Sequence, residues 1–290
     1  MAIELVRAMP EHAPQLSRIL FHAFKNLQDL HSVPLDIPTP EVADMGMNMF
    51  VTRPDIYGVA AKENGKIVGH NFVQLSDPVA GVGPICVDPG CQSRGVGKLL
   101  MQHIDDYALK NHGPMVRLLQ EAINMTSLSL YTSLGYALQE PILKMTVKPA
   151  AAVDESVRPL MMDDLATCDA LCRHVYKVSR KNELAAMIQH GQAAGVVPHG
   201  RFVHGKLAAY VIPGFFGYAV AESAEDLLVT AEQAARSAPP LLQAILIPAR
   251  HTELFTGALK RGWRSEKLFN LMSIGPYESP TGAWAPSIAY

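Results

Sequence analysis

Residues 85–100 read Ile85-Cys86-Val87-Asp88-Pro89-Gly90-Cys91-Gln92-Ser93-Arg94-Gly95-Val96-Gly97-Lys98-Leu99-Leu100. The stretch opens on a short apolar strand, Ile85 to Val87, turns at Asp88-Pro89-Gly90, and passes through a loop with two alternating glycines. It leaves as a helix running to Lys110, with Val96, Leu100, Ile104 and Tyr107 on one face. Gly95 and Gly97 carry no Cβ, so an anion can reach main-chain N–H groups that a first helical turn leaves without intrahelical partners. The helix dipole adds to that attraction and makes a diphosphate the expected guest. Gln92, Ser93, Arg94 and Lys98 surround the glycines with donors and positive charge.

Two better-known phosphate loops do not fit. A Walker A loop needs Gly where Gln92 stands and Ser or Thr where Leu99 stands, and a dinucleotide fingerprint needs a third Gly in place of Leu100. The pattern present is Q/R-x-x-G-x-G/A, filled by Gln92, Gly95 and Gly97 behind Val87-Asp88-Pro89. Further along stands Asn124-x-x-Ser127-x-x-Leu130-Tyr131-x-x-Leu134-Gly135-Tyr136. Together, in this order and at this distance, the two motifs resemble the acetyl-coenzyme A loop and the helix after it in the GNAT N-acetyltransferases.

That resemblance is strong over residues 2–147 and topological beyond. It implies an α/β (α+β) fold of two lobes, each a mixed, mostly antiparallel twisted sheet flanked by helices. It also implies acetyl-coenzyme A as co-substrate, held by Ile85, Cys86, Val87, Gln92, Ser93, Arg94, Gly95, Val96, Gly97, Lys98 and Asn124. In such enzymes an amine attacks the thioester directly in a ternary complex, and Tyr131 stands where the family places the acid for the departing thiolate. A rival from another class is a non-catalytic acyl-coenzyme A sensor, which would bind without turnover.

Length and composition set the outer bounds. At 290 residues two domains are the prior, and 49% hydrophobic with 18% charged residues describes an ordinary globular chain. A net charge of −2 gives no basic footprint for nucleic acid or a membrane surface, so the expected partner is a small-molecule or peptide amine. Cys86, Cys91, Cys168 and Cys172 form no disulfide framework, and Cys168, Cys172 and His174 fall short of a zinc set, so the reading assigns no metal. The lack of a leader pattern and of an apolar run of about 18 residues makes cytoplasm the default.

Outward from the loop, Ala2 to Arg7 alternates as a strand, and Pro10 opens a helix with Leu16, Leu20, Ala23, Phe24 and Leu27 inward. Val33 to Pro40 is a proline-rich loop, followed by Met45, Met47, Met49 and Phe50, read as core filling or as an apolar acceptor wall. Ile56–Lys62 and Ile67–Leu75 form a hairpin around Asn64-Gly65, and Pro84 predicts a bulge or break in the strand that feeds the loop. Met115–Gln120 is a buried strand, Asn124–Leu134 a helix closed by Gly135, and Leu143–Val147 a last strand.

These elements define an N-terminal acetyltransferase domain over 1–148. After a linker at 149–154 the order restarts over 153–290 as a degenerate lobe. Where the first lobe has its glycine loop, the second has Ala221-Glu222-Ser223-Ala224-Glu225-Asp226, in which Ser223 caps a helix and the carboxylates repel a diphosphate. Its short strands, with Pro198 and Pro213, accommodate a homodimer or a lobe interface equally. The aromatic end, Trp284 to Tyr290, is read as a tail docking on the first lobe. For the base, His70, His22, Glu41, Asp44 and Glu121 stay open as alternatives.

Overall fold

The computed structural model describes residues 3–290, so Ala2, the expected start of the first strand, lies outside the described residues. The chain forms two compact units. Unit 1 runs to Ala137 and takes in Met272–Pro276 and Ala289–Tyr290, while unit 2 comprises Leu138–Leu271 and Tyr277–Ile288. The linear halves therefore exchange segments, which no local pattern at 149–154 announces.

Unit 1 contains β1 (Glu4–Arg7), α1 (Ala13–Leu30), α2 (Pro40–Thr52), β2 (Ile56–Glu63), β3 (Lys66–Gln74), β4 (Ala80–Val82), β5 (Cys86–Val87), α3 (Val96–Asn111), β6 (Val116–Glu121) and α4 (Met125–Ser133). Its strands run in the order β1-β2-β3-β4-β6, with β5 paired to β3. The turn between β2 and β3 has left-handed Asn64 (φ 51°) and Gly65 (φ 78°), the pair a two-residue hairpin with native twist requires. Both faces of the sheet are covered. Val59 and Ala61 face a core shared with Val96, Leu100 and Ile104 of α3, whereas Ala60 faces one shared with Leu16, Leu20, Met47 and Phe50 of α1 and α2.

The methionine stretch divides by helical phase. Met47 (0% exposed) and Phe50 are core, but Met45 (64%) and Met49 (37%) lie on the outer side of α2. The expected tail contact forms at the last two residues, where Tyr290 is buried, accepts a hydrogen bond from Arg117, and lies with its ring 4.6 Å from that guanidinium. Trp284 instead belongs to a strand of unit 2.

Unit 2 contains β7 (Ala137–Thr146, from Leu138 on), β8 (Val157–Pro159), α5 (Leu165–Tyr176), α6 (Lys181–His190), β9 (His199–Val203), β10 (Lys206–Val211), β11 (Ala219–Ala221), α7 (Ala224–Ala235), β12 (Ala244–Pro248), α8 (Thr252–Lys260), most of β13 (Arg264–Ile274) and β14 (Ala283–Ala285). One of its sheets has the order β14-β11-β10-β9-β8, and β7 pairs antiparallel with β12. The core between them is built from alanines, leucines and Trp263, with α7 contributing Leu227, Leu228 and Ala231. Among the described residues no helix is long and apolar enough to cross a membrane, and no His, Cys, Asp and Glu group is placed to hold a metal.

Candidate active site

The loop's position follows from a register change on β3. Val73 lies opposite Val82, but His70 lies opposite Cys86, so three steps along β3 correspond to four along its partner. The extra residue sits at Gly83-Pro84-Ile85, where proline cannot supply a ladder N–H. β6 pairs in parallel with β4 at Ala80↔Val116 and Gly81↔Arg117, whereas β5 pairs only with β3 among the described strands. One edge of β5 is thus open. Asp88 N–H bonds Val68 O at 2.9 Å, so along the pleat the N–H and C=O groups of Ile85 and Val87 turn toward the open edge.

The chain then turns at Asp88, whose side chain accepts from Gly90 N–H at 3.0 Å, and enters the loop. Ser93 (φ 61°) and Gly95 (φ 84°) are both left-handed, a conformation that glycine adopts without strain. Gly95 is the N-cap of α3, and no side chain caps that helix. Its first internal bond is Leu99 N–H to Gly95 O at 3.1 Å, which leaves the amides of Val96, Gly97 and Lys98 available to a ligand. Val96 buries its side chain in the core, and Lys98 is exposed beside the turn. A methyl group on Gly97 would meet Leu130 at 3.6 Å and Val87 at 3.8 Å, ordinary packing distances, so the start of α3 lies against β5 and α4.

Two side chains fasten the loop. Gln92 Nε2 donates to Val87 O at 3.2 Å. Arg94 makes a two-pronged ion pair with Glu63, at 3.1 and 2.5 Å. Glu63 was invisible to sequence reasoning, because no spacing ties a hairpin residue to a loop 31 positions on.

Gly69 was missed as well. A Cβ there would lie 2.9 Å from Cys86 O, 3.1 Å from Leu100 and 3.3 Å from Val96, so its bare backbone is what lets α3 start against β3 and β5. Ala at this position is expected to cost about 1–3 kcal/mol, because backbone has to yield. A fall of several degrees in the Tm of Gly69→Ala checks this.

On α4, Asn124 caps the helix through its side-chain oxygen, which accepts from Ser127 N–H at 3.0 Å, and Gly135 (φ 97°) closes the other end. Tyr131 is only 7% exposed. Burial, together with the nearby Cys86 and Asp105, holds its hydroxyl well above the usual tyrosine range, while Ser127 opposes the shift. Its ring lies 6.0 Å from that of Tyr136, whose hydroxyl donates to buried Asp105 at 2.6 Å. Burial also pushes the Cys86 thiol up, which leaves little thiolate for nucleophilic chemistry.

The base candidates are scattered. His70 is fully buried, makes no hydrogen bond through either ring nitrogen, and is held down to about 4 by burial, against a weaker opposing pull from the Leu16 and Pro84 backbone. His22 and Glu41 are exposed, and Asp44 is engaged by the Ser17 hydroxyl. Glu121, at the end of β6, accepts from Gln28 Nε2 at 3.2 and 3.3 Å. Gln28, on the buried side of α1, also donates to Asp36 at 2.8 Å.

The corresponding turn of unit 2 is closed. Ser223 accepts from Asp226 N–H at 3.2 Å, Asp226 pairs with Arg201 at 2.9 Å, and Glu225 pairs with Arg261. Carboxylates of the chain itself occupy the N-terminal field of α7.

No curated protein matches the chain. Among solved structures, a candidate acetyltransferase from Pyrococcus horikoshii is similar in fold, with a TM-score of 0.71 at 14% identity over 96% of this chain and 91% of that one. A GCN5-related N-acetyltransferase from Sphaerobacter thermophilus has a TM-score of 0.64 at 14% identity, covering 97% and 98%. A tandem GNAT protein from the clavulanic acid biosynthesis pathway has a TM-score of 0.59 at 13% identity, covering 96% and 100%. The family model for acetyltransferases (GNAT) matches residues 22–136, the span that holds the bulge, the glycine loop and α4. Residues 22–136, less than half of the chain, are thus similar to the acetyltransferase (GNAT) family, and the chain as a whole shares the fold of the solved acetyltransferases above.

Proposed function

We propose that unit 1 transfers an acetyl group from acetyl-coenzyme A to the amine of a small molecule or peptide by direct attack in a ternary complex. The observation that carries this reading is the uncapped start of α3 beside the open edge of β5. The amides of Val96, Gly97 and Lys98 would hold the diphosphate, with Gln92, Ser93 and Arg94 shaping the loop around it. Ile85 and Val87 would pair with the pantetheine arm as an added strand, and Asn124 would border it. An amide on the bulged side of β5 would then face the developing oxyanion.

As the amine nitrogen bonds to the carbonyl carbon, the carbon–sulfur bond breaks and the thiolate takes a proton from the Tyr131 hydroxyl. The amine's own proton leaves to solvent, and a proton returned from solvent restores the Tyr131 hydroxyl. A covalent route through Cys86 is disfavoured by the scarcity of its thiolate.

The glycine turn can be tested by copying unit 2 onto it. Gly97→Glu with Lys98→Asp reproduces the acidic residues that occupy the same helical positions in α7. Acidic groups suit a helix start, so the fold is retained, but the anion site is filled. With wild type, coenzyme A at a hundred times its Kd is expected to add about 2.7 kcal/mol of stability. The double variant is expected to show no ligand-induced rise in Tm. A normal rise in the variant, or none in wild type, refutes the site. The reaction itself is checked by thiol release from acetyl-coenzyme A across a panel of amines.

A further inference from the structure

We propose that Glu63 is a positioning residue for the coenzyme loop: it anchors Arg94 away from the diphosphate, so that Arg94 acts as a brace and the backbone amides with Lys98 bind the phosphate. This rests on the acetyl-coenzyme A reading of the same site. Glu63 stands at the end of β2, and its side chain is only 10% exposed, whereas Arg94 is 45% exposed. Both guanidinium prongs reach the two carboxylate oxygens, the planar arrangement that makes an Arg–carboxylate pair strong and directional. Engaged this way, the arginine brings no net charge to the loop.

The brace falls at the point where the backbone has least support. Arg94 stands between left-handed Ser93 and left-handed Gly95, immediately before the unpartnered amides. Gln92 ties the near end of the loop to β5, and Arg94 ties the far end to the β2–β3 hairpin. Amides held at fixed spacing before the ligand arrives bind it without a further ordering cost.

Direct and bracing roles for Arg94 predict opposite signs in one variant. If Arg94 touches phosphate, Glu63→Gln frees its charge, and the Kd for coenzyme A stays level or falls. As a brace, it loses its anchor, and Kd is expected to rise about tenfold. Arg94→Glu weakens binding under either role, but the swap Glu63→Arg with Arg94→Glu rebuilds the brace and is expected to return Kd to within about threefold of wild type.

The full-length chain is titrated with coenzyme A by calorimetry, and the amide protection of Leu99, the first bonded N–H of α3, is followed without ligand. A Kd for Glu63→Gln at or below wild type, or a swap as weak as Arg94→Glu, overturns the brace. If wild type itself binds no coenzyme A, the acetyltransferase reading fails separately and Leu99 decides the brace. Protection lost in Glu63→Gln and regained in the swap supports it, and unchanged protection overturns it.

Discussion

Tyr131→Phe is expected to lower kcat for acetyl transfer to a good amine by about a hundredfold, while KM for acetyl-coenzyme A stays within about threefold. The hydroxyl is the only group removed, and the ring is packed in the core with Val96, Leu100 and Tyr136, so the fold has no reason to change. Burial keeps the hydroxyl protonated at all working pH values and makes it a weak acid. Under the proposed mechanism its contribution would come late, when charge has built up on the sulfur, and would be spent on the transition state rather than on binding. Steady-state thiol release for both proteins, with coenzyme A affinity measured in parallel, separates the outcomes. An unchanged kcat would assign proton delivery elsewhere, and binding without turnover in wild type would favour the sensor reading.

Local chemistry made the centre of unit 1 readable. Pro84 announces the break in the strand because it lacks a donor, Asn64-Gly65 announces the hairpin because both positions are left-handed, and Asn124 and Gly135 mark the two ends of α4. What escaped is long-range pairing that leaves no period in the chain. Gln28 follows Leu27 on α1 and reads as a boundary residue, yet it is fully buried because Asp36 and Glu121 satisfy its amide. Glu63 looks like a solvated hairpin charge until Arg94 meets it. Ala283-Trp284-Ala285 is too short and alanine-rich to announce a strand, and β14 exists because β11 offers it an edge. The exchange of segments between units is of the same kind, since strand neighbours are chosen by the finished sheet. The same holds for the base, since burial of His70 and Glu121 is a property of the packed core and not of their spacing.

Asp105→Asn is expected to give unit 1 a steep loss of stability toward acid that wild type lacks. Two buried groups titrate here with opposite signs. Burial raises Asp105 from 3.8 to about 7, against the Tyr136 hydrogen bond that favours its charge, so native protein binds this proton more tightly than unfolded protein does. Its contribution is complete below pH 3.8 and is lost as pH rises toward 7. His70 is lowered from 6.5 to about 4, so its contribution is complete above pH 6.5 and is lost as pH falls toward 4. Each amounts to about 3–4 kcal/mol, and across this window they offset one another. With Asn at 105, Tyr136 keeps an acceptor and only the histidine slope remains. His70→Leu leaves only the aspartate slope, and the double variant is flat again. Both tryptophans, Trp263 and Trp284, lie in unit 2, so their fluorescence does not follow unit 1. Hydrogen exchange at α3 amides between pH 4.5 and 7.5 does. Parallel pH profiles for wild type and the two single variants would mean that neither buried group carries the linkage.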